Sequence, residues 1–239
     1  MAITVGTAIT QFTVPSFDGQ FYVQYSITIT PDQNMLVVAT AGAYGNINSI
    51  LFNGVNFGAA KISRSSGNTG KVAMYDLLNP SVGTYNLRIN LANGAGIRTV
   101  SVPLSGVDPT TPRGTAVFGL GGFSPPTVAT VTTTTGDVVI DIINCESSLA
   151  VGTGQTELLN TPTSEQSNTT FFFHGSSYEV ATGASTAMSW NHVGDWVAHA
   201  AIPYKPNPYE TPRSIIQLGN AGNSNIQLSS TGTSPITIR

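Results

Sequence analysis

The side chains with the greatest potential for chemistry are three histidines and a few carboxylates. His192, Asp195 and His199 lie within eight positions of one another, a spacing at which imidazole and carboxylate groups could hold zinc or move a proton. No His-Glu-x-x-His or paired-cysteine pattern accompanies them, and His174 lies apart. We therefore expect no metal site and interpret the histidines as surface or interface residues.

Paired carboxylates would be the signature of a glycosidase, which places two of them about 5–9.5 Å apart across a sugar. Asp137 and Asp141 share one face of a regular strand, but four residues at about 3.3 Å each separate them by about 13 Å. We expect both to be turn-capping and surface residues. Asp108, in Val-Asp-Pro-Thr-Thr-Pro, is expected to accept hydrogen bonds from backbone amides in a turn.

Motifs for nucleophilic or phosphate chemistry are absent from the sequence. No Gly-x-Ser-x-Gly elbow is present, and Gly152-Thr153-Gly154 lacks the lysine and the following helix of a phosphate loop. The single cysteine, Cys145, ends an apolar strand run and is expected to be a small buried residue. The sequence therefore predicts a protein that is not an enzyme, with no catalytic, metal-binding or cofactor-binding residues.

Exposed aromatic rings could instead bind sugars. Trp190 and Trp196 flank a short turn in otherwise apolar segments, so core packing is the stronger expectation. Tyr44, in Ala-Tyr-Gly-Asn, is predicted to be exposed in a loop, where it would contact a partner. A bound glycan is not indicated by any of these residues.

Composition excludes several classes of partner. The 239 residues include 9 Lys+Arg and 12 Asp+Glu, for a net charge of −3, and no basic cluster could track a phosphate backbone. No apolar run reaches the 18 residues of a membrane span, and the N-terminal residues lack the pattern of a secretory signal. We therefore expect neither nucleic-acid nor membrane binding, and synthesis in a host cytoplasm.

Period-2 alternation between turn signals predicts an all-β chain, a β-sandwich or jelly roll. Residues 50–52 and 55–57 flank Asn53-Gly54, a strong hairpin signal. Residues 72–77 and 85–91 are also predicted to form a hairpin, with one face exposed to water. We expect one jelly-roll sandwich over residues 20–206.

The two ends of the chain differ from this central region. Residues 1–19 alternate weakly, and residues 207–239 are rich in Pro, Asn, Ser, Gly and Thr, so we interpret both as extended arms that reach neighbouring subunits. The predicted contact residues of the C-terminal arm are Tyr209, Ile215, Ile216, Ile226, Leu228, Ile236 and Ile238.

A family resemblance rests on the order of several short motifs. They are residues 47–54 (INSILFNG), 72–80 (VAMYDLLNP) with 83–85 (GTY), 104–112 (LSGVDPTTP), 132–141 (TTTTGDVVID), 151–156 (VGTGQT), 181–190 (ATGASTAMSW) and 196–206 (WVAHAAIPYKP). Together they resemble a jelly-roll module of bacterial surface proteins and tailed-phage particles. The resemblance implies an adhesive or structural sandwich and transfers no catalytic residues.

Within that family, a short module with a long arm looks most like a phage capsid cement (decoration) protein. The resemblance implies that the major capsid protein is the partner, that the chain lies on the capsid exterior of the virion, and, by analogy, that it forms a homo-oligomer, a trimer. The first alternative is a receptor-binding or carbohydrate-adhesive module of a tail or fibre. The second is a glycan-cleaving enzyme, which would need two close carboxylates in a cleft.

Overall fold

The computed structural model describes residues 2–13, 21–42, 46–66, 70–92, 96–119, 127–161, 165–167, 170–193 and 197–208. These residues form strands and turns without any helix, which confirms the all-β prediction. Consequently, the described ranges offer no helix that could cross a bilayer. The strands are β1 Thr4–Val5, β2 Ile9–Thr13, β3 Tyr22–Ile29, β4 Gln33–Gly42, β5 Ile47–Phe52, β6 Val55–Asn56, β7 Ile62–Ser66, β8 Gly70–Leu78, β9 Gly83–Leu91, β10 Ile97–Ser105, β11 Val117–Phe118, β12 Thr127–Thr132, β13 Val138–Cys145, β14 Leu149–Val151, β15 Thr156–Asn160, β16 Glu165–Ser167, β17 Thr170–Val180, β18 Ser185–His192 and β19 Val197–Tyr204.

Residues 2–107 form a first sandwich of two antiparallel sheets. Its inner sheet has the strand order β1-β10-β4-β8-β7, and β2 also pairs with β10. Its outer sheet has the order β3-β9-β5-β6. The apolar side chains of the two facing surfaces form a core, which is completed by partly buried Ile9 of β2. Residues 2–13, predicted as part of an arm, are thus held along β10 at the edge of the inner sheet.

Residues 108–206 form a second sandwich with the same topology. Its inner sheet has the order β11-β19-β13-β17-β15, with β16 also paired to β17, and its outer sheet has the order β12-β18-β14. Three strands of each sheet have counterparts in the first sandwich, because β19-β13-β17 repeats β10-β4-β8 and β12-β18-β14 repeats β3-β9-β5. The range predicted as one sandwich therefore contains two copies of one fold.

The two sandwiches pack through their inner sheets, which gives four layers. Side chains of β4, β8 and β10 and those of β13 and β19 share one apolar cluster between the inner sheets. Both β13 and β19 are buried at every position. Burial on both faces accounts for the continuous apolar runs in these strands, since a strand with one wet face would alternate.

The outer sheets alternate between buried and exposed residues, as expected for sheets with one face in water. Their exposed faces are almost free of charge. Among the described outer-sheet strands, Arg88 in β9 is the one Lys, Arg, Asp or Glu residue. Polar contact with water is therefore made mainly by hydroxyl and amide side chains.

One predicted hairpin is wrong. β8 and β9 follow each other in sequence, but β8 pairs with β4 and β7 in the inner sheet, whereas β9 pairs with β3 and β5 in the outer sheet. The physical reason is that β8 is largely buried on both faces and fits the centre of the stack, while β9 alternates. The connection between them crosses from one sheet to the other.

The hairpin predicted at Asn53-Gly54 is confirmed. β5 and β6 pair directly around it, and both turn residues have positive φ, 47° at Asn53 and 78° at Gly54. Two consecutive positive φ angles match the twist of a tight two-residue hairpin, and Asn-Gly adopts them at low cost.

Both ends of the described chain meet at Gly106. The backbone amide of Asn207 donates to the Gly106 carbonyl oxygen at 2.8 Å, and Val107 forms a β-bridge with Pro206. The carbonyl oxygen of Ala2 lies 3.2 Å from the position that a Gly106 Cβ would occupy. The C-terminal segment therefore leaves the stack beside its first described residue.

Candidate functional site

The densest polar cluster of the interior surrounds Asp141 in β13. The fully buried carboxylate accepts hydrogen bonds from the Ser177 amide at 2.7 Å and the Ser177 hydroxyl at 2.8 Å. It also accepts bonds from Trp190 Nε1 at 2.7 Å and His199 Nε2 at 2.9 Å. Four donors from three strands therefore converge on one carboxylate.

Strand register explains this convergence. Asp141 lies in the middle of β13, and both neighbouring strands of the inner sheet, β17 and β19, carry one of its partners. Trp190 comes from β18 of the outer sheet and fills the space between the sheets. Burying a charge without partners is costly, so the four donors are what permits a carboxylate at this depth.

The cluster contains Ser, His and Asp but cannot perform nucleophilic catalysis as arranged. In a catalytic triad the serine hydroxyl bonds to the imidazole, whereas Ser177 donates directly to Asp141. His199 Nδ1 is buried without a hydrogen-bond partner and faces Gly119, where a Cβ would overlap the ring. Because Asp141, Ser177 and His199 are all inaccessible to solvent, the cluster specifies packing rather than binding a substrate.

Two predictions about these residues are wrong. Asp141 was expected at the surface, and His174, His192 and His199 at a surface or interface, yet all four are buried in the described chain. Each lies in a strand that faces other protein layers, so a position between apolar residues implied burial. His192 Nε2 lies 2.7 Å from the Thr127 hydroxyl, and Asp195 lies outside the described residues.

Metal binding finds no support in this geometry. Across the described ranges, no three His, Cys, Asp or Glu side chains gather closely enough to hold an ion. His199 Nε2 already bonds to Asp141 and is therefore not free to act as a ligand.

Other sequence predictions are confirmed. Asp137 caps its turn as predicted, by accepting bonds from the Thr134 amide and hydroxyl, both at 2.9 Å, but the prediction that it lies at the surface is wrong because it is buried. Cys145 is fully buried at the end of β13, and Trp190 is a core residue. These residues serve the fold.

Asp108 also has its predicted turn role. It accepts bonds from the Thr111 hydroxyl at 2.6 Å and from the Thr110 hydroxyl and amide at 2.7 and 2.8 Å. The Thr111 and Thr110 bonds hold the pKa of Asp108 well below its ordinary value, because they stabilise the charged form.

Asp108→Asn should therefore destabilise the protein in a pH-dependent way. A lowered pKa gives stability that is present above the ordinary carboxyl pKa, about 4, and is lost as the pH falls below it. Urea midpoints should be lower for the variant at pH 7 and should approach those of the parent protein at about pH 2.5. A gap between the two midpoints that stays constant with pH would contradict the role of the charge.

A second buried carboxylate joins the two sandwiches. Asp76 in β8 accepts from Arg113 Nε at 2.9 Å and from the Tyr204 hydroxyl at 3.4 Å. Burial raises the pKa of Asp76, and the nearby cations Arg113 and Lys61 oppose that rise. Asp76 belongs to the first sandwich, whereas Arg113 and Tyr204 belong to the second, so this contact helps to fix how the two sandwiches meet.

The exposed face of the first outer sheet is a ladder of hydroxyl and amide groups. Its hydrogen bonds join Ser26 to Asn86 at 3.0 Å, Thr28 to Thr84 at 2.8 Å, Asn90 to Ser49 at 2.8 Å and Arg88 to Asn90 at 2.8 Å. The Arg88 guanidinium lies 4.1 Å from the centre of the Tyr22 ring. This nearly neutral surface, the amide–hydroxyl face, could bind a polar surface of similar character.

One shallow pocket lies at the end of the first sandwich. Its volume is about 280 Å³ with its open mouth included, and its lining comes from Thr40, Ala41, Gly42, Ile47, Lys71, Ala73, Tyr75, Gly96 and Ile97. The lining contains no carboxylate, so this pocket lacks the acid pair that a glycosidase requires.

Known proteins offer no guide to these surfaces. No family model, no curated protein and no solved structure matches the chain. The resemblance to a jelly-roll module of phage particles therefore stays a prediction from the sequence.

The predicted contact residues all fall outside the described part of the chain. They are Tyr44, Tyr209, Ile215, Ile216, Ile226, Leu228, Ile236 and Ile238, and Trp196 also falls outside it. The Asp141 cluster, in contrast, was missed by sequence reasoning. Its signal was a single carboxylate inside the apolar run of β13 and a single imidazole inside that of β19.

Proposed function

We propose that this protein is a non-enzymatic structural component of a phage particle, a cement subunit that binds the outer surface of the capsid. The major capsid protein is the proposed partner, and the proposed assembled form is a homo-oligomer, a trimer. The subunit stabilises the shell by lying across the junctions between neighbouring capsid proteins.

The observation that carries the proposal is the near absence of charge on the outer sheets. Arg88 is the single charged residue in the described strands of both. Such faces suit broad contact through apolar area and amide hydrogen bonds, and contact of this kind depends little on salt. They do not suit a nucleic acid, whose binding would require a cluster of Lys and Arg.

The position of residues 207 and 208, where the described part of the chain ends, adds further support. Asn207 and Ala2 both contact Gly106, so the segment that follows residue 208 begins beside Gly106 and the N-terminal residues. Its 31 residues, 209–239, would span roughly 100 Å if fully extended, which is enough to reach an adjacent subunit. A tethered segment binds its neighbour at high effective concentration and so strengthens a weak contact between faces.

Removing residues 209–239 should abolish binding to capsids while the sandwiches remain folded. The purified chain would be mixed with shells assembled from the major capsid protein of the same genome and sedimented through sucrose. The full chain should travel with the shells, and binding should change less than about two-fold between low and high salt, because few charges are involved. The shortened chain should stay at the top of the gradient with an unchanged circular dichroism spectrum.

A matched control replaces residues 209–239 by a Gly-Ser chain of equal length, which keeps mass and tether but removes the sequence. It should also fail to bind. Normal binding by either variant would contradict the role of the arm. A full chain that ignores shells but binds host-cell envelopes would contradict the cement proposal and favour the receptor-binding alternative.

A further inference from the structure

The pocket at the end of the first sandwich opens between its two sheets. The inner sheet contributes Thr40 of β4 and Lys71, Ala73 and Tyr75 of β8, and the outer sheet contributes Ile47 of β5. Strand pairing orders the β8 residues by depth. Lys71 pairs with Gly42 at the end of β4, whereas Tyr75 pairs with Val38, four positions further into the sandwich. Lys71 therefore lies at the mouth and Tyr75 at the inner end.

The polar group at the inner end is the Tyr75 hydroxyl. The side chain is only 8% exposed and belongs to the apolar core of the first sandwich, so its exposed part faces the pocket. Among the described residues, none forms a hydrogen bond with this hydroxyl. Burial raises the pKa of Tyr75, so the group stays protonated at neutral pH and has one hydrogen to donate.

The second sandwich satisfies the equivalent hydroxyl internally. Strand register places Val38 of β4 where β13 has Asp141. In the second sandwich the Ser177 hydroxyl of β17 donates to the Asp141 carboxylate at 2.8 Å. In the first sandwich Tyr75 of β8 is opposite Val38, which offers no acceptor. The first sandwich therefore keeps a buried hydroxyl donor without the carboxylate that receives it in the second.

A cation lies at the mouth of the pocket. Lys71 Nζ donates to Asn46 Oδ1, in the residue before β5, at 3.0 Å. An ammonium group has three hydrogens, so two more can be donated. Within the described ranges no carboxylate pairs with Lys71, and the pocket lining contains none. The pocket therefore offers positive charge at its mouth and a neutral donor at its inner end.

The remaining side-chain walls are mainly aliphatic. Ile47, Ala73 and Ile97 supply this surface. The Thr40 hydroxyl donates its hydrogen to the Ala73 carbonyl oxygen at 3.1 Å, so it has none left for a ligand. A volume of about 280 Å³, with the mouth included, is below the range of pockets that hold drug-sized molecules. A ligand of a few heavy atoms fits this space.

We propose that this pocket binds a carboxylate group carried on a short aliphatic chain. The carboxylate accepts hydrogen bonds from the Lys71 ammonium and the Tyr75 hydroxyl, and the chain lies against the aliphatic walls. A free short-chain acid and a glutamate side chain of another polypeptide both present this chemistry. The inference goes beyond the proposed function and does not depend on binding to a capsid.

Titration of the ¹⁵N-labelled full chain with butyrate at constant ionic strength tests the proposal. The amide resonances of Ala73 and Ile97 should shift saturably, with a Kd of about 1 mM. Acetate, which is two methylenes shorter, should bind roughly ten-fold more weakly, because each buried methylene contributes about four-fold. Butyramide, which has a similar shape but no charge, should also bind about ten-fold more weakly.

Two variants assign the binding to the proposed donors. Lys71→Met removes the charge but keeps an aliphatic stem, and Tyr75→Phe removes only the hydroxyl. Each should weaken butyrate binding about ten-fold. Lys205→Met and Tyr85→Phe are the matched controls, because neither residue lines the pocket, and each should change the Kd less than about two-fold.

A capped tripeptide with a central glutamate distinguishes the two sources of the carboxylate. Tighter binding of the tripeptide than of butyrate identifies a polypeptide as the source, and the reverse order identifies a free acid. The proposal is overturned if neither probe saturates these shifts below about 50 mM. It is also overturned if butyramide binds as tightly as butyrate, or if Lys71→Met leaves the Kd unchanged. Because Lys71 is partly exposed, this variant decides the matter if Tyr75→Phe does not fold.

Discussion

Asp141→Ala is expected to lower the free energy of unfolding by about 3–5 kcal/mol at pH 7, which for many domains would leave little folded protein. The substitution removes the acceptor of four hydrogen bonds and leaves the Trp190 and His199 ring nitrogens, together with both Ser177 donors, buried without it. Each unsatisfied buried donor costs roughly 1–3 kcal/mol, partly relieved by local rearrangement.

Urea unfolding followed by tryptophan fluorescence and by circular dichroism measures this loss. Glu157→Ala is a suitable control, because Glu157 is exposed and, among the described residues, its carboxylate hydrogen-bonds to Asn160 alone, at 3.1 Å. Its effect should stay within about 0.5 kcal/mol. If Asp141→Ala unfolds at the same urea concentration as the control, the cluster does not stabilise the second sandwich.

Gly175→Ala is expected to destabilise the protein by about 1–3 kcal/mol through overpacking. A Cβ at Gly175 would lie 2.6 Å from Trp190 Cη2 and 2.7 Å from Trp190 Cζ3, with Ile143 Cγ2 at 3.0 Å. The indole cannot retreat easily, because it is fully buried and its Nε1 is bonded to Asp141. The added methyl therefore shifts a ring that both sheets contact.

Gly183→Ala is the matched control for this steric effect. A Cβ at Gly183 would meet no atom within 4 Å, and this turn glycine is not among those with positive φ. Its stability should be unchanged or slightly higher, since alanine restricts the unfolded chain more than glycine does. Equal melting temperatures for the two variants would show that the space beside Trp190 is larger than the structure indicates.

Several strand positions followed from the sequence, as did the hairpin of β5 and β6, but the partners of β8 and β9 did not. The apolar run of β13 and the alternation of β9 each predicted a strand where one exists. The hairpin assigned to β8 and β9 was wrong because adjacency in sequence does not say whether a connection stays within one sheet. Burial on both faces of β8 contained that information, and it indicates a central position.

The duplication was hidden because the equivalent strands share apolar character rather than identity. Val38 of β4 pairs with Ser101 of β10, and Asp141 of β13 pairs with Ala201 of β19. Because Ser101 and Ala201 occupy equivalent positions in the two sandwiches, the buried Asp141 lies where the first sandwich has Val38. The Asp141 cluster could not be predicted for a related reason. Its members are up to 58 positions apart and meet only when two sheets are stacked in the correct register.

The back-to-back contact of the two inner sheets has a mechanical consequence. Each inner sheet has apolar residues on both faces. The two sandwiches therefore cannot separate without exposing a large hydrophobic area to water. We therefore expect the four layers to respond to a force on one broad face as one unit rather than as two separable sandwiches.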